Sequence, residues 1–266
     1  MYIIILIDLK IGGKMSLILD NLFSEQIFEI RYSAIPQILD YRGQLARIFS
    51  AVMNLDHWRI DTNRVDIYND LKVDTERVFI SYKNAGGIYK CDHKQHPLPS
   101  NFFYDKTNKF ITNLYNQKFI TSEINIFRVG VRARYILPST NDFKELSRIF
   151  TTKFCSLTPG AIKAFNAELI EIGCPIVFKT DAGILHTLVR PLTKNQILEQ
   201  LPYLDIIEKY EIPEVAIYID IDYWKEITKK ITDKDLQKIC RKYSLEIQTI
   251  LTNLNNIFMD EKDDIK

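Results

Sequence analysis

Arginines at alternate positions are the residues of this sequence whose spacing most clearly points to chemistry. They lie in the segment Glu123–Pro138 (EINIFRVGVRARYILP), which has the composition of a β-strand. Side chains of a strand point alternately to its two faces, so Arg128, Arg132 and Arg134 share one face with Gly130. Three guanidinium groups on one face require acids on neighbouring strands or an anionic ligand. A charge-paired sheet face is the favoured interpretation, because most charge clusters are of that kind.

A pair of carboxylates near the end of the chain suggests a second kind of site. The segment Val215–Asp222 (VAIYIDID) predicts a strand whose polar face carries Asp220 and Asp222. Such carboxylates lie about 7 Å apart, a spacing that suits divalent metal ions in phosphoryl-transfer sites. A site of this type needs another carboxylate on an adjacent strand, and the candidates are Glu29 and Glu171. The favoured alternative is that the two aspartates neutralise the arginines across the sheet.

Other catalytic signatures are weak or missing from the sequence. It contains no glycine-rich phosphate loop and no GxSxG motif, and His57 and His186 have no neighbouring nucleophile at a recognisable spacing. Cys91, His93 and His96 form a CxHxxH cluster, but a zinc site usually draws four ligands from two pairs. A polar loop is therefore the favoured interpretation of this cluster, and no cofactor is expected unless the aspartate pair holds a metal ion.

An arginine-lined sheet face also predicts binding of a nucleotide or another phosphate ligand. Arg31, in the predicted strand Ile27–Tyr32, completes the candidate ligand-binding set with the three arginines of the central strand. Tyr32, Tyr135 and Tyr218 flank these strands and are candidates for stacking on RNA bases. Alternation does not place all three tyrosines on the arginine face, which weighs against this mode of binding.

Composition is typical of a soluble globular protein with a local rather than a global charge pattern. The 266 residues are 46% hydrophobic and 26% charged, and 35 Lys and Arg nearly balance 34 Asp and Glu. Any anion site must therefore be local. The four cysteines are widely scattered, which predicts reduced thiols and a cytoplasmic location.

The apolar N-terminus, Met1–Leu9, is too short to span a membrane and lacks the features of a signal peptide. Gly12 and Gly13 precede Met15, and in an AT-rich gene the codons GGA-GGA for such a pair would form a ribosome-binding site. The sequence therefore predicts that translation starts at Met15 and that residues 1–14 are a leader outside the fold.

Periodicity gives the local elements. Helices are predicted for residues 43–52 and 105–117, with a third that Asn141 caps and a fourth that opens with a Thr193–Gln196 capping box. His57 and Trp58 fall in a predicted polar connector. Asn84–Gly87 (NAGG) predicts the turn of one hairpin, and Thr180–Gly183 predicts the turn of another.

The order of these elements repeats. A strand, a helix, two strands and a helix occur from residue 27 to 117 and again from 124 to 204, and RY-SAIP…QLARIF echoes RY-ILP…ELSRIF. The fold class predicted is α+β, with two tandem ferredoxin-like βαββα(β) units, a mainly antiparallel sheet and a long C-terminal helix. The predicted divisions are residues 15–122, residues 123–258 and a charged tail, 259–266.

The C-terminal helix has apolar residues at heptad spacing, which we call the seam. Its members are Leu236, Cys240, Tyr243, Ile247, Ile250, Leu254 and Ile257. Packing on the protein's own sheet is favoured over a coiled-coil dimer, because the run barely reaches three or four heptads. A protein partner or a second copy docking on this helix is the alternative.

Four short motifs (FEIRY, RVGVRARYI, IYIDIDYW and LxxLNNIF), spread over residues 27–258, resemble a sporadically distributed family of uncharacterised bacterial proteins. The resemblance implies a bacterial origin and a shared fold, but no activity. Sporadic occurrence in that family implies an accessory role in mobile-element or phage-defence gene clusters.

The sequence thus predicts a cytoplasmic binding or interaction protein without catalytic activity. Its ligand-binding residues are Arg31, Arg128, Arg132 and Arg134. The alternative is a metal-dependent nucleotide- or phosphoester-processing enzyme that uses Asp220 and Asp222. Membrane association is not expected.

Overall fold

A single sheet runs through the computed structural model, which describes residues 22–70, 75–92, 101–155, 171–206 and 211–259. Its strands are β1 (Phe23–Tyr32), β2 (His57–Ile60), β3 (Arg64–Tyr68), β4 (Glu76–Ser81), β5 (Asn84–Asp92), β6 (Ile126–Pro138), β7 (Cys174–Lys179), β8 (Ile184–Thr193) and β9 (Val215–Glu226). They lie in the order β2-β3-β4-β5-β1-β6-β9-β8-β7. Neighbouring strands are antiparallel throughout these residues.

Seven α-helices accompany the sheet in the same residues. They are α1 (Gln37–Asp40), α2 (Arg42–Met53), α3 (Phe102–Tyr115), α4 (Lys118–Thr121), α5 (Phe143–Phe150), α6 (Lys194–Gln200) and α7 (Asp233–Met259). A π-helical turn, Thr151–Cys155, extends α5, and a 3₁₀ turn, Pro202–Ile206, follows α6. The chain is therefore of the α+β class, with one antiparallel sheet and a long C-terminal helix.

The main core lies on one face of the sheet. Val129 and Val131 of β6 point into it and are buried against apolar side chains of α2, α3 and α7, such as Phe49, Phe110 and Leu236. Burying each such large side chain contributes about 1.5–3 kcal/mol. A smaller core at one end of the opposite face forms where α6 covers Phe23, Ile136 and Tyr218. The middle of that opposite face has no such apolar cover among the described residues.

The seam of α7 packs inside the protein over most of its length. Leu236, Cys240, Tyr243 and Ile247 are each no more than 2% exposed. Tyr243 stacks on Tyr223 of β9, with ring centroids 4.2 Å apart. The favoured prediction of packing on the protein's own sheet is therefore confirmed for this part of the helix. Of the seam, it is the end of the helix that a partner can reach, because Ile257 is exposed there.

Local predictions had mixed outcomes. The capping box at Thr193 and the hairpin turn Thr180–Gly183 are confirmed. The predicted N-cap at Asn141 was wrong by one residue, because it is the Asp142 side chain that accepts a hydrogen bond from the Glu145 N–H. The predicted connector at His57 was also wrong, because this segment is the edge strand β2.

The predicted NAGG turn was wrong as well, because Asn84–Gly87 lies within β5 and the hairpin turns at Tyr82 and Lys83. The glycines serve a different purpose there. A Cβ atom on Gly86 would lie 2.0 Å from the backbone oxygen of Phe28, so only glycine allows β5 and β1 to come this close.

Strand β6 joins the two halves of the chain, because it pairs with β1 on one side and with β9 on the other. The two tandem ferredoxin-like units are not confirmed by this continuous sheet, and they stay a prediction, as do the domain divisions. The predicted leader, 1–14, lies outside the described residues. None of the helices in the described residues is long and apolar enough to cross a membrane.

We expect Gly86→Ala to lower the free energy of unfolding by more than about 2 kcal/mol, because the new methyl group would meet backbone atoms of β1 that cannot move independently. Gly43→Ala is the matched control. A Cβ atom at Gly43 would meet nothing within 4 Å, so this change should stabilise helix α2 by up to about 1 kcal/mol. Urea denaturation of both variants measures the difference, and equal stabilities would contradict the assigned contact.

Candidate functional site

The registers of three neighbouring strands place the predicted arginines and aspartates on one face of the sheet. Residues directly opposite each other in an antiparallel pair share a face. Arg31 lies opposite Arg128, and β6 then sets Arg132 opposite Asp222. Arg134 lies opposite Asp220. We call this surface the arginine face, and its members are Arg31, Arg128, Arg132, Arg134, Asp220 and Asp222.

Arg132 and Asp220 form a bidentate ion pair between β6 and β9. Arg132 donates from Nε to Asp220 Oδ1 at 2.8 Å and from Nη2 to Oδ2 at 2.5 Å. The Tyr218 hydroxyl donates to the same Oδ2 at 3.2 Å. The hydrogen bond to Asp220 raises the pKa of Arg132 above its ordinary value. Both oxygens of Asp220 are thus already used within the protein.

Arg134 is neutralised in the same region. It donates from Nη1 to Glu25 Oε2 at 2.7 Å, and its Nε lies 3.8 Å from Asp220 Oδ2. Glu25 is buried on β1. Sequence reasoning missed Glu25, because the predicted strand began at Ile27. Extending the alternation of that strand by two residues would have placed Glu25 on the same face as Ile27. Arg132 and Arg134 therefore each pair with a buried or partly buried carboxylate on a neighbouring strand.

Arg31 and Arg128 are arranged differently. Arg31 donates from Nε to Glu29 Oε1 at 2.7 Å, and the Asn84 side chain donates to the same oxygen at 3.3 Å. The guanidinium carbon of Arg128 lies over the Trp224 ring, 4.0 Å from its centroid. In the part of the chain that the structure describes, Arg128 has no carboxylate oxygen within 4.0 Å. Two adjacent cations thus share one contacting acid.

A shallow cavity of about 150 Å³ lies on the arginine face between these groups. Its lining includes Ile27, Glu29, Arg31, Arg128, Asp222 and Trp224. Gly130 forms part of its base, between Arg128 and Arg132 along β6. A Cβ atom on Gly130 would lie 3.2 Å from the Cβ of Trp224, so a side chain at this position would crowd the indole and reduce the cavity.

Asp222 lines this cavity without a hydrogen-bond partner among the described residues. Burial raises the pKa of its carboxyl group above the ordinary value, against the opposing effect of Arg132 and Arg128. His186 lies opposite it on β8 and is exposed. Asp222 is therefore a partly buried acceptor that the protein itself leaves without a donor.

The predicted tyrosines do not form a stacking surface here. Tyr32 and Tyr135 are buried on the core face of the sheet, and Tyr218 lies on the arginine face but is buried beneath the α6 region. The accessible aromatic group is Trp224, which sequence reasoning did not select. Its position two residues after Asp222 was the available signal, because residues at i and i+2 of a strand share a face.

The other candidates for metal binding lie apart from the cavity or outside the described residues. Glu171 forms an ion pair with Arg190 at 2.5 Å. Cys91 is buried in β5, and its predicted companions His93 and His96 lie outside the described residues. Within the described ranges, no three His, Cys, Asp or Glu side chains are grouped to hold a metal ion.

Comparisons with known proteins give no match for this chain among protein families, curated proteins or solved structures.

Neutralising Asp220 should destabilise the protein more than neutralising an acid of an exposed ion pair. We expect Asp220→Asn to lower the free energy of unfolding by about 2 kcal/mol, because it weakens a charge-assisted bidentate pair and leaves nearby arginines without a counter-charge. Glu214→Gln, in an exposed ion pair with Lys194, should cost less than about 1 kcal/mol. Chemical denaturation at pH 7 tests this. Equal losses in the two variants would contradict the structural role of Asp220.

Asp222→Asn should change the dependence of stability on pH. The pKa of Asp222 is raised in the folded state, so the folded protein holds this proton more tightly than the unfolded chain does. The stability that this tighter proton binding adds is present below the ordinary aspartate pKa of about 3.9. It is lost as pH rises through the raised folded-state pKa. The wild type should therefore lose stability relative to Asp222→Asn over that interval. Denaturation curves measured across the acidic range check this, and the opposite trend would mean that Asp222 is stabilised as an anion.

Proposed function

We propose that this protein is a binding protein without catalytic activity, and that its arginine face binds a phosphate-bearing anion between Arg31 and Arg128. The observation that carries the proposal is the direct opposition of these two arginines on β1 and β6. Like charges directly opposite each other destabilise an antiparallel pair. Glu29 is the one acid in ion-pair contact with either of them in the described residues, since Glu226 lies opposite Arg128 on β9 without forming an ion pair with it. A bound anion would therefore supply the contact that Arg128 lacks.

The surrounding contacts suit phosphate recognition. Arginine presents a planar set of donors that matches phosphate oxygens, often in a bidentate manner. Glu29 fixes the Nε of Arg31, which leaves its terminal nitrogens for a ligand. Trp224 lies against Arg128 and holds the guanidinium plane by a cation–π contact. Groups held in place before binding lose less entropy when the ligand arrives.

Arg132 and Arg134 have a supporting role in this proposal. Their carboxylate partners, Asp220 and Glu25, already balance their charges within the sheet. Because the whole chain carries a formal charge of only +1, long-range attraction adds little and the local donors must supply the affinity. The candidate ligand-binding set therefore narrows to Arg31 and Arg128.

A metal-dependent phosphoester enzyme is the second candidate. The observation in its favour is Asp222, a carboxylate without a hydrogen-bond partner in the described residues. Asp220 weighs against it, because Arg132 and Tyr218 already donate to its oxygens and would have to move before a metal ion could bind. The two candidates differ in one measurable property, since only the enzyme requires a divalent ion.

Three further proposals rest on the sequence pattern and the family resemblance. They are the tandem ferredoxin-like plan, a cytoplasmic location and an accessory role in mobile-element or defence gene clusters. A protein partner that docks on the exposed end of α7 is a fourth, and it is compatible with the anion site because α7 packs on the opposite face of the sheet.

Arg128→Ala should weaken phosphate binding at least tenfold, because a charge-assisted hydrogen-bond pair contributes about 1.5–3 kcal/mol. The measurement is the rise in melting temperature with phosphate concentration at constant ionic strength, which follows the ratio of ligand concentration to Kd. Arg31→Ala should have a similar effect. Arg59→Ala removes an exposed arginine that pairs with Asp61 outside the cavity, and it should leave the response unchanged.

Two outcomes would overturn the proposal. One is a wild-type protein whose melting temperature responds to phosphate no more than to chloride. The other is an Arg128→Ala variant that keeps the full response. Activity on a phosphoester that depends on Mg²⁺ or Mn²⁺ and is lost in Asp222→Asn would favour the enzyme instead.

A further inference from the structure

The cavity on the arginine face contains a polar group that an anion site does not need. Its cationic end, at Arg31 and Arg128, is suited to a phosphate group. At its other end Asp222 offers a carboxylate that accepts no hydrogen bond from the described part of the protein. A ligand that satisfies both ends must carry an anionic group and, at some distance from it, hydrogen-bond donors.

The spacing along the strands favours a ligand with two separate polar groups. Arg128 and Arg132 are four residues apart on β6, and Asp222 lies opposite Arg132. Four residues of a strand cover about 13 Å, and long arginine side chains shorten the gap that a ligand must bridge. Gly130 lies midway and contributes no side chain, so the body of the ligand has room between the two ends.

The charges around Asp222 indicate which donors it accepts. Arg132 lies directly opposite it, and both Arg132 and Arg128 act on its carboxyl group. A second cation, such as an ammonium group, would be repelled by these guanidinium groups. Neutral hydroxyl groups donate hydrogen bonds without that cost. Burial raises the pKa of Asp222 above its ordinary value.

The size and lining of the cavity fit a sugar ring. Its volume of about 150 Å³ is many times the space that one water molecule needs, so it admits a small polyhydroxy ring. Ile27 and Trp224 supply apolar surface for C–H groups. The cavity is open, so a group attached to the sugar would extend into solvent.

We infer that the arginine face binds a sugar phosphate of the ribose 5-phosphate type, with the phosphate between Arg31 and Arg128 and the sugar hydroxyl groups donating to Asp222. This inference rests on the proposed anion site and names its ligand class. The same chemistry occurs in free sugar phosphates and in nucleoside 5′-monophosphates. Asp222 is then the residue that sets specificity for hydroxyl groups, and it contributes little to binding of the phosphate itself.

Isothermal titration calorimetry of the full-length protein with two phosphate monoesters tests the inference. Ethyl phosphate carries the anion without hydroxyl groups, and ribose 5-phosphate carries both. The wild type should bind ribose 5-phosphate at least tenfold more tightly than ethyl phosphate. Asp222→Ala should reduce that ratio to less than about threefold, since each lost hydrogen bond to a charged group contributes about 1.5–3 kcal/mol. It should not weaken binding of ethyl phosphate, because loss of a carboxylate near Arg128 reduces the repulsion of an anion.

The controls separate this inference from the proposed function. Arg128→Ala should weaken both esters, and Asp222→Asn serves as a second variant if Asp222→Ala does not fold. If the wild type binds neither ester, the anion site and the inference fall together. If it binds both equally well, or if Asp222→Ala weakens both to the same extent, the anion site stands and the sugar-phosphate inference is overturned.

Adenosine 5′-monophosphate distinguishes the two sources of the ligand. Tighter binding than ribose 5-phosphate would support a nucleotide, because the base then adds contacts beyond the cavity. Equal or weaker binding would support a free sugar phosphate.

Discussion

The bidentate ion pair between Arg132 and Asp220 is the interaction on which the arginine face depends. It joins β6 to β9, next to the pairing of β1 with β6 where the two halves of the chain meet in one sheet. Antiparallel pairing holds the two side chains on the same face, and partial burial makes their hydrogen bonds stronger than those of an exposed pair. Arg134 and Glu25 extend this network to β1, so three neighbouring strands are joined by charge as well as by backbone hydrogen bonds.

The charges a few residues away along the same strands are not balanced in this way. Arg31 and Arg128 lie side by side with one acid in contact, and Asp222 is partly buried without a donor in the described residues. Each arrangement costs stability that a simple charge-paired sheet would keep. Such local departures from optimal stability are expected at functional sites, because a bound ligand supplies the missing partners. The contrast between the two parts of one face is the reason to place a ligand at Arg31 and Arg128 rather than at Arg132.

The sequence predicted correctly which arginines share a face of a strand. It did not predict which residues of other strands lie next to them. Alternation of side chains depends only on local backbone geometry, so the shared face of Arg128, Arg132 and Arg134 was predictable from spacing alone. Strand order and register depend on contacts between residues that are far apart in the chain. The partner of Arg134, Glu25, and the aromatic contact of Arg128, Trp224, were therefore missed.

Glycine gave the most misleading signal. Asn84–Gly87 has the composition of a turn, yet its glycines lie in a strand because β1 comes too close for a side chain at Gly86. The seam of α7 gave a correct signal, since this long apolar stripe packs in the core of the same chain. Composition alone thus does not decide between a turn and a strand, because tertiary packing also determines how a segment is used.

Site-resolved NMR of the arginine side chains during a phosphate titration tests the central claim most directly. We expect the terminal Nη–H resonances of Arg31 and Arg128 to shift with phosphate and saturate together, while those of Arg132 and Arg134 stay in place because their carboxylate partners hold them. Shifts of equal size in all four arginines, or in none of them, would contradict an anion site between Arg31 and Arg128.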